Sequence, residues 1–203
     1  MNTSKTQNNL MVEWNTINWK QVEKAVFKLQ KRIYQASQRG DVKTVRKLQK
    51  MLMKSWSARI IAVRQVSQLN RGKKTAGFDG IKSLNFKQRI KLAIELKIIR
   101  EGKPVRRVLI PKADKKEKRL LGIPTMYDRA AQALAKLALE PEWETKFEAN
   151  SYGFRPARSA HDAIEAIFIG LRGKPKYILD ADISKCFDKI NHTTLLKKIN
   201  TIS

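Results

Sequence analysis

Asp180 and Asp182 stand two residues apart in the stretch Lys176-Tyr-Ile-Leu-Asp-Ala-Asp-Ile-Ser-Lys-Cys-Phe-Asp188. Tyr177, Leu179, Ala181 and Ile183 alternate with Ile178, Asp180 and Asp182. Alternation with a period of two predicts a strand. Both carboxylates then share one face at the strand's C-terminal end, just before a turn at Ser184 and Lys185. A carboxylate so placed is suited to hold a divalent ion over a nucleotide triphosphate. Phe187, five residues after Asp182, can return beneath that ion. The same residues also suit a plainer role, because an aspartate at a strand end is often a solvated turn former or a helix N-cap.

Three further groups of residues have phosphate chemistry within reach. Lys112 and Arg119 flank a charged turn, and together they can reach one triphosphate, the lysine as a point charge and the arginine as a bidentate fork. Arg71, Lys73 and Lys74 lie in Asn70-Arg-Gly-Lys-Lys-Thr-Ala-Gly-Phe-Asp-Gly-Ile81, whose glycines can bring backbone amides against phosphate or serve only as a flexible connector. Arg155 and Arg158 precede the positive end of a predicted helix, where an anion can bind. Their alternative is to neutralise nearby carboxylates or to sit in solvent.

The elements that must position these residues are mostly helical. A helix is expected over 15–38, capped by Asn18, with Val22, Val26, Leu29 and Ile33 on one face. Gly40-Asp41 breaks it. A longer helix follows, with Asp41 as cap and Val45, Leu48, Leu52, Trp56, Ile60 and Val63 along one side. The pair should form an antiparallel hairpin that buries Trp19 or Trp56 near its joint. Another helix is expected at about 84–99. Val105–Lys112 and Arg119–Pro124 read as a β-hairpin, its prolines at 111 and 124 marking edges. Thr125 and Asp128 form a capping box for a helix with Ala131, Leu134, Leu137 and Ala138 inward, which Pro141 should end. Ser159 and Asp162 cap a further helix, with Ala160, Ala163, Ile164, Ile167, Phe168 and Leu171 at helical spacing.

Composition bounds the function. The 203 residues suit one domain or one and a half. Forty-three Lys and Arg face 18 Asp and Glu, a net charge of +25, and the positive residues are spread along the whole length. Such a surface attracts polyanions in a salt-dependent way, so RNA or DNA is the expected partner. No run approaches the roughly 18 apolar residues of a membrane helix, and Met1–Leu10 lacks an apolar signal region, so neither membrane insertion nor secretion is expected. One cysteine, Cys186, excludes an intramolecular disulfide and reads as a small buried residue. With only His161 and His192, far apart, the sequence argues against zinc.

Several motifs, in order, resemble the reverse transcriptases encoded by group II introns. They are Thr-Ala-Gly-Phe-Asp-Gly80, Arg-Arg-Val-Leu-Ile-Pro-Lys112, Lys-Arg-Leu-Leu-Gly-Ile-Pro-Thr-Met-Tyr-Asp-Arg129, Ser-Tyr-Gly-Phe-Arg-Pro-Ala-Arg-Ser-Ala-His161 and Asp-Ile-Ser-Lys-Cys-Phe-Asp-Lys-Ile-Asn-His192. The resemblance implies an α+β fold: a helical N-terminal extension, then the fingers and the beginning of the palm of a right-hand polymerase, truncated. The boundaries it implies are a flexible leader at 1–13, a helical N-terminal domain at 14–82, fingers at 83–175 and an incomplete palm at 176–203. It implies RNA-directed DNA synthesis and maturase activity, with intron RNA, RNA template, DNA primer and dNTP as partners. The setting it implies is the bacterial cytoplasm or an organelle matrix. Asp182 takes the place of the first metal-binding aspartate and Ile183 that of the residue whose carbonyl meets the ion. Lys112 and Arg119 take the places that grip the nucleotide, and Phe187 that of the steric gate. The metal would be Mg2+, in a completed site.

The departure from the family is as informative as the match. The family draws further carboxylates from a Tyr-Ala-Asp-Asp hairpin, and no Asp-Asp pair occurs in these 203 residues. Asp180 lies on the same strand as Asp182 and does not face it across a site. The expectation is an N-terminal fragment, inactive as a polymerase on its own, with a second chain as a possible source of the remaining palm and thumb. The alternatives are a non-catalytic RNA-binding splicing cofactor and a remnant reading frame.

Overall fold

The computed structural model describes residues 13–98, 101–111, 118–173, 175–184 and 186–199. They divide into two compact units, with the boundary between Glu142 and Trp143.

The first unit begins with a 3-10 turn, Trp14–Thr16, and then α1, Trp19–Gln38, shorter at its start than the expected helix. Asn18 caps α1 by accepting from the Gln21 N–H at 3.1 Å. Val26, Ile33 and Ala36 form its buried stripe. Gly40, at φ +70°, makes the left-handed turn that glycine tolerates best. Asp41 then caps α2, Val42–Lys54, through the Thr44 N–H. The single long helix expected here is two. Ser55 takes an extended conformation, and its hydroxyl accepts from the Ala58 N–H at 3.2 Å to start α3, Trp56–Arg64. A serine offers the backbone this local alternative to helix continuation. Ala58, Ile60, Ala62 and Val63 are all buried, which makes α3 the central helix against α1, α2 and α4. A π-helix, Gln65–Leu69, continues it.

The tryptophans also depart from expectation. Trp14 is the buried one, 2% exposed, with Trp19 edge-on at 5.1 Å. Both lie at the opposite end of α1 from Gly40. Trp56 opens α3 and is only partly buried against the core. The indole N–H of Trp14 finds Gln68 Oε1 at 3.1 Å, the polar partner that a buried tryptophan needs.

The loop after the π-helix winds through a 3-10 turn, Arg71–Lys74, and leads to α4, Phe86–Glu95, which carries a full Asn85–Gln88 capping box. Antiparallel strands β1, Arg106–Pro111, and β2, Lys118–Ile123, pair from Arg106↔Ile123 to Pro111↔Lys118. This is the expected hairpin, and its turn lies outside the described residues. Helix α5, Met126–Glu144, starts at Thr125, whose hydroxyl accepts from the Asp128 N–H at 3.1 Å. Met126, Ala130, Leu134 and Ala138 face the core.

Pro141 does not end α5; it sits inside the helix. Proline lacks the N–H that would bond the carbonyl four residues back. That carbonyl, on Leu137, instead accepts from Gln30 Nε2 at 3.0 Å. One turn further on, buried Glu142 accepts from buried Gln49 at 2.7 Å and lies 3.5 Å from Arg46. The end of α5 is thus tied to the α1–α2 hairpin by polar contacts that repair the proline defect.

The second unit holds α6, Ala160–Leu171, α7, Cys186–Lys189, and α8, His192–Ile199. The capping box of α6 is complete: Asp162 Oδ2 accepts from the Ser159 N–H at 2.6 Å and Ser159 Oγ accepts from the Asp162 N–H at 3.3 Å. The Ser159 hydroxyl, which donates to the same Oδ2 at 2.7 Å, and then the Ser159 N–H hold the Asp162 carboxyl below its usual value. A depressed pKa means the cap's contribution is fully present above the unfolded pKa, about 3.9, and disappears as pH falls through the folded value. Protection of the amides in the first turn of α6, relative to their intrinsic exchange rates, is therefore expected to fall as pH drops through that window, and Asp162→Asn should remove the dependence. An acid response unchanged in the variant would refute the assignment.

Two expectations fail in this unit. Residues 175–183 form no strand, and Tyr177 is 107% exposed. A strand is defined by its neighbours, and the sheet among the described residues contains β1 and β2 alone. Ile164, Ile167 and Phe168 have the predicted helical spacing on α6 but remain exposed.

Candidate nucleotide and nucleic-acid interface

Asp182 is exposed, and its Oδ1 accepts from the Ile183 N–H at 2.8 Å. Among the described residues no group of three His, Cys, Asp or Glu side chains is arranged to hold a metal. Magnesium needs an octahedral oxygen shell. Asp182 and the Ile183 carbonyl do not make a magnesium site by themselves. The backbone of Phe187 belongs to α7, and its side chain lies outside the described residues.

Arg119 sits on β2 opposite Ile110 and is exposed. Paired residues share a face, and faces alternate along the ladder, so Arg106, four register pairs away, lies on the same side of the ribbon as Arg119. Lys112 lies outside the described residues. That face therefore offers two exposed guanidinium groups, one near each end, with the Val108–Leu121 pair between them.

The glycine-rich loop is not a loose connector. A Cβ on Gly77 would stand 2.5 Å from the Pro124 carbonyl oxygen and 2.7 Å from Thr125 Cα. Gly80 has φ +72°, which explains the second glycine of the motif. Arg129 clamps the same junction: Nε donates to Pro124 O at 3.1 Å, Nη1 to Gly72 O at 3.1 Å and Nη2 to Thr75 O at 2.5 Å. The loop's backbone is held against the start of α5, while Arg71 and Lys74 remain exposed. Lys73 is half-buried and donates to Gln68 O at 2.7 Å.

In the second unit Arg155 and Arg158 part company. The Arg155 side chain is only 6% exposed. It forms a bidentate pair with Glu144, at 2.6 Å for its shortest arm, and bonds the carbonyls of Glu148 and Ser151. Glu144 raises its pKa above the usual arginine value. This is the carboxylate-neutralising alternative, and its donors are spent inside the chain; no RNA contact is assigned to it. Arg158 is exposed, its guanidinium 5.7 Å from the Tyr152 ring centre. Phe154 and Ala157, on either side of Arg155, adopt left-handed φ values of 60° and 55°.

Sequence reading missed three arginines. Arg129 appeared only as the end of a motif, although its three partners are all backbone carbonyls. Arg64 and Arg89 line a pocket of about 470 Å³ beside Trp19, Lys73 and Lys74. The helical period places both arginines off the apolar stripe, but only the π-helix and the packing of α3 on α4 bring them together.

Residues 14–96 match the N-terminal domain of reverse transcriptase, and residues 110–203 match the reverse transcriptase (RNA-dependent DNA polymerase) family. Maturase-like protein 1 of Euglena gracilis is 34% identical over 189 residues, 89% of this chain and 41% of that protein. Group II intron-encoded protein LtrA of Lactococcus lactis subsp. cremoris is 43% identical over 97 residues, 48% of this chain and 16% of LtrA. Protein YkfC of Escherichia coli (strain K12) is 36% identical over 147 residues, 66% of this chain and 38% of YkfC. The chain spans about two-fifths of the Euglena and Escherichia relatives. Among the described residues no helix is long and apolar enough to cross a membrane. With two consecutive family matches and motifs in the same order, the chain belongs to the reverse transcriptases of group II introns, and it corresponds to their N-terminal part.

Proposed function

We propose that this chain supplies the N-terminal extension, the fingers and the first palm segment of a right-hand polymerase that copies RNA into DNA and binds intron RNA. The observation that carries the reading is the consecutive match of an N-terminal reverse transcriptase domain and a polymerase domain. Arg119 on its exposed ribbon, with Lys112, would contact the incoming dNTP, and Phe187 would guard the sugar. Asp182 and Ile183 would give two of the oxygen ligands for Mg2+. When bound, that ion supplies Lewis acidity for nucleotidyl transfer. The remaining carboxylates must come from residues outside this sequence, in a longer chain or a second one. The RNA template, DNA primer and intron RNA are the macromolecular partners, in a bacterial cytoplasm or an organelle matrix.

Primer extension on an RNA template with magnesium tests this reading, with the chain alone and with a palm–thumb fragment added. No extension is expected from the chain alone, and extension is expected from the mixture, lost in Asp182→Ala. Extension by the pure chain, or activity in the mixture indifferent to Asp182→Ala, would overturn it. A net charge of +25 supports a second reading, a non-catalytic intron-RNA-binding protein. Inactivity in both arms, with tight RNA binding that weakens steeply with salt, would favour that one.

A further inference from the structure

We infer that the open pocket lined by α1, the end of α3, the π-helix, the loop after it and α4 is an anchoring site for backbone phosphates of an RNA strand. The inference rests on the proposed RNA binding and assigns it a location. The pocket measures about 470 Å³, and four cationic side chains line it: Arg64, Lys73, Lys74 and Arg89. That volume is within the usual range for ligand sites, about 300–1,000 Å³.

The four cations are unequally compensated. Arg64 stacks on Trp19, its guanidinium carbon 4.2 Å from the ring centre, and pairs with Glu23 at 2.9 Å. Arg89 has no carboxylate within ion-pair distance among the described residues. Its guanidinium is wedged between aromatic rings, 5.6 Å from the Trp14 centre and 5.5 Å from that of Phe86. Its one hydrogen bond is a long 3.4 Å contact from Nη2 to Ser67 O. Its Nε–H is buried with no partner at all. Burial pushes the Arg89 pKa down, the sign of a positive charge partly stripped of water without an anion to replace it.

Lys73 spends one of three protons on Gln68 O, and exposed Lys74 stands at the rim. A tetrahedral anion with several acceptor oxygens answers this arrangement better than a carboxylate, because the donors approach from different elements. The aromatic faces beside it are already occupied by guanidinium groups, so the pocket is built for a phosphate and not for a stacked base. Exposed Arg71 lies on the same loop and extends the positive surface outward, which suits a continuous strand over a free ion.

The test follows the Arg89 Nε–H resonance by NMR during titration with a single-stranded RNA oligonucleotide, and separately with inorganic phosphate. It is paired with RNA affinity across a salt series for Lys74→Gln, Arg89→Gln and the control Lys24→Gln on exposed α1. Binding is expected to move the Arg89 resonance. Each pocket variant should weaken affinity severalfold and flatten the salt slope by about 0.7. Lys74→Gln, at the rim, tests the site without disturbing the core.

If the parent chain binds RNA with a steep salt slope but the pocket variants match Lys24→Gln, the pocket assignment fails while the RNA-binding reading stands. If the parent chain does not bind RNA, the reading itself fails. A response of the Arg89 resonance to inorganic phosphate that RNA neither reproduces nor displaces would mark a free-phosphate site and overturn the assignment to RNA.

Discussion

Gly77→Ala is expected to destabilise the first unit by about 3 kcal/mol, at the upper end of ordinary overpacking costs. The added methyl would lie 2.5 Å from the Pro124 carbonyl oxygen, and the three nearest atoms, all within 3 Å, are backbone atoms at the start of α5. A flexible side chain can swing aside; a helix entry held by the Thr125–Asp128 box cannot. The loop must lift away, and Arg129 loses its geometry with it. For a chain of this size the melting temperature should fall by roughly 6–12 °C. Gly102→Ala is the matched control, because a methyl there meets nothing within 4 Å. Equal melting of the two variants would show that the loop does not dock as described.

Arg129→Met is expected to cost about 2–3 kcal/mol, the scale of charge-assisted hydrogen bonds to a buried or half-buried acceptor. Methionine keeps much of the stem's packing, so the loss reports the three carbonyl contacts on Pro124, Gly72 and Thr75. Arg129→Lys should recover little, because a single ammonium cannot bridge three carbonyls on two segments. The two variants disturb one junction, so the double variant should lose less than the sum of the singles. Strict additivity in thermal or urea unfolding would mean that glycine and arginine serve separate contacts.

What could be seen in the sequence was what neighbours in sequence decide. Asn18, Asp41, Thr125 and Ser159 cap helices because each sits three residues before the amide it accepts from, and that spacing is visible in the chain. The hairpin was legible for the same reason: two apolar runs around a charged turn fix their own register. The failures lie where a distant partner decides. Pro141 should stop a helix, and it does not because Gln30, over a hundred residues earlier, takes the stranded carbonyl. Residues 177–183 have a strand's alternation without a strand's neighbours. Ser55 divides a helix whose apolar stripe runs on undisturbed. For the candidate site, Arg119, Arg71 and Lys74 stand exposed on their own elements, whereas Lys73 is drawn to the Gln68 carbonyl and Arg155 to Glu144, a partner eleven residues away that no helical or strand period points to.

The bond from Gln30 to the Leu137 carbonyl also bears on how this family can vary. With proline at 141, the carbonyl is open and a side-chain amide at 30 is useful. With any other residue at 141, the backbone N–H shares that carbonyl, and the amide at 30 has a second donor to compete with. The worth of an amide at 30 thus depends on the residue at 141, and the two positions, on helices far apart in the chain, are expected to vary together. Descendants that lose the proline should be those that have also released position 30 to an apolar residue.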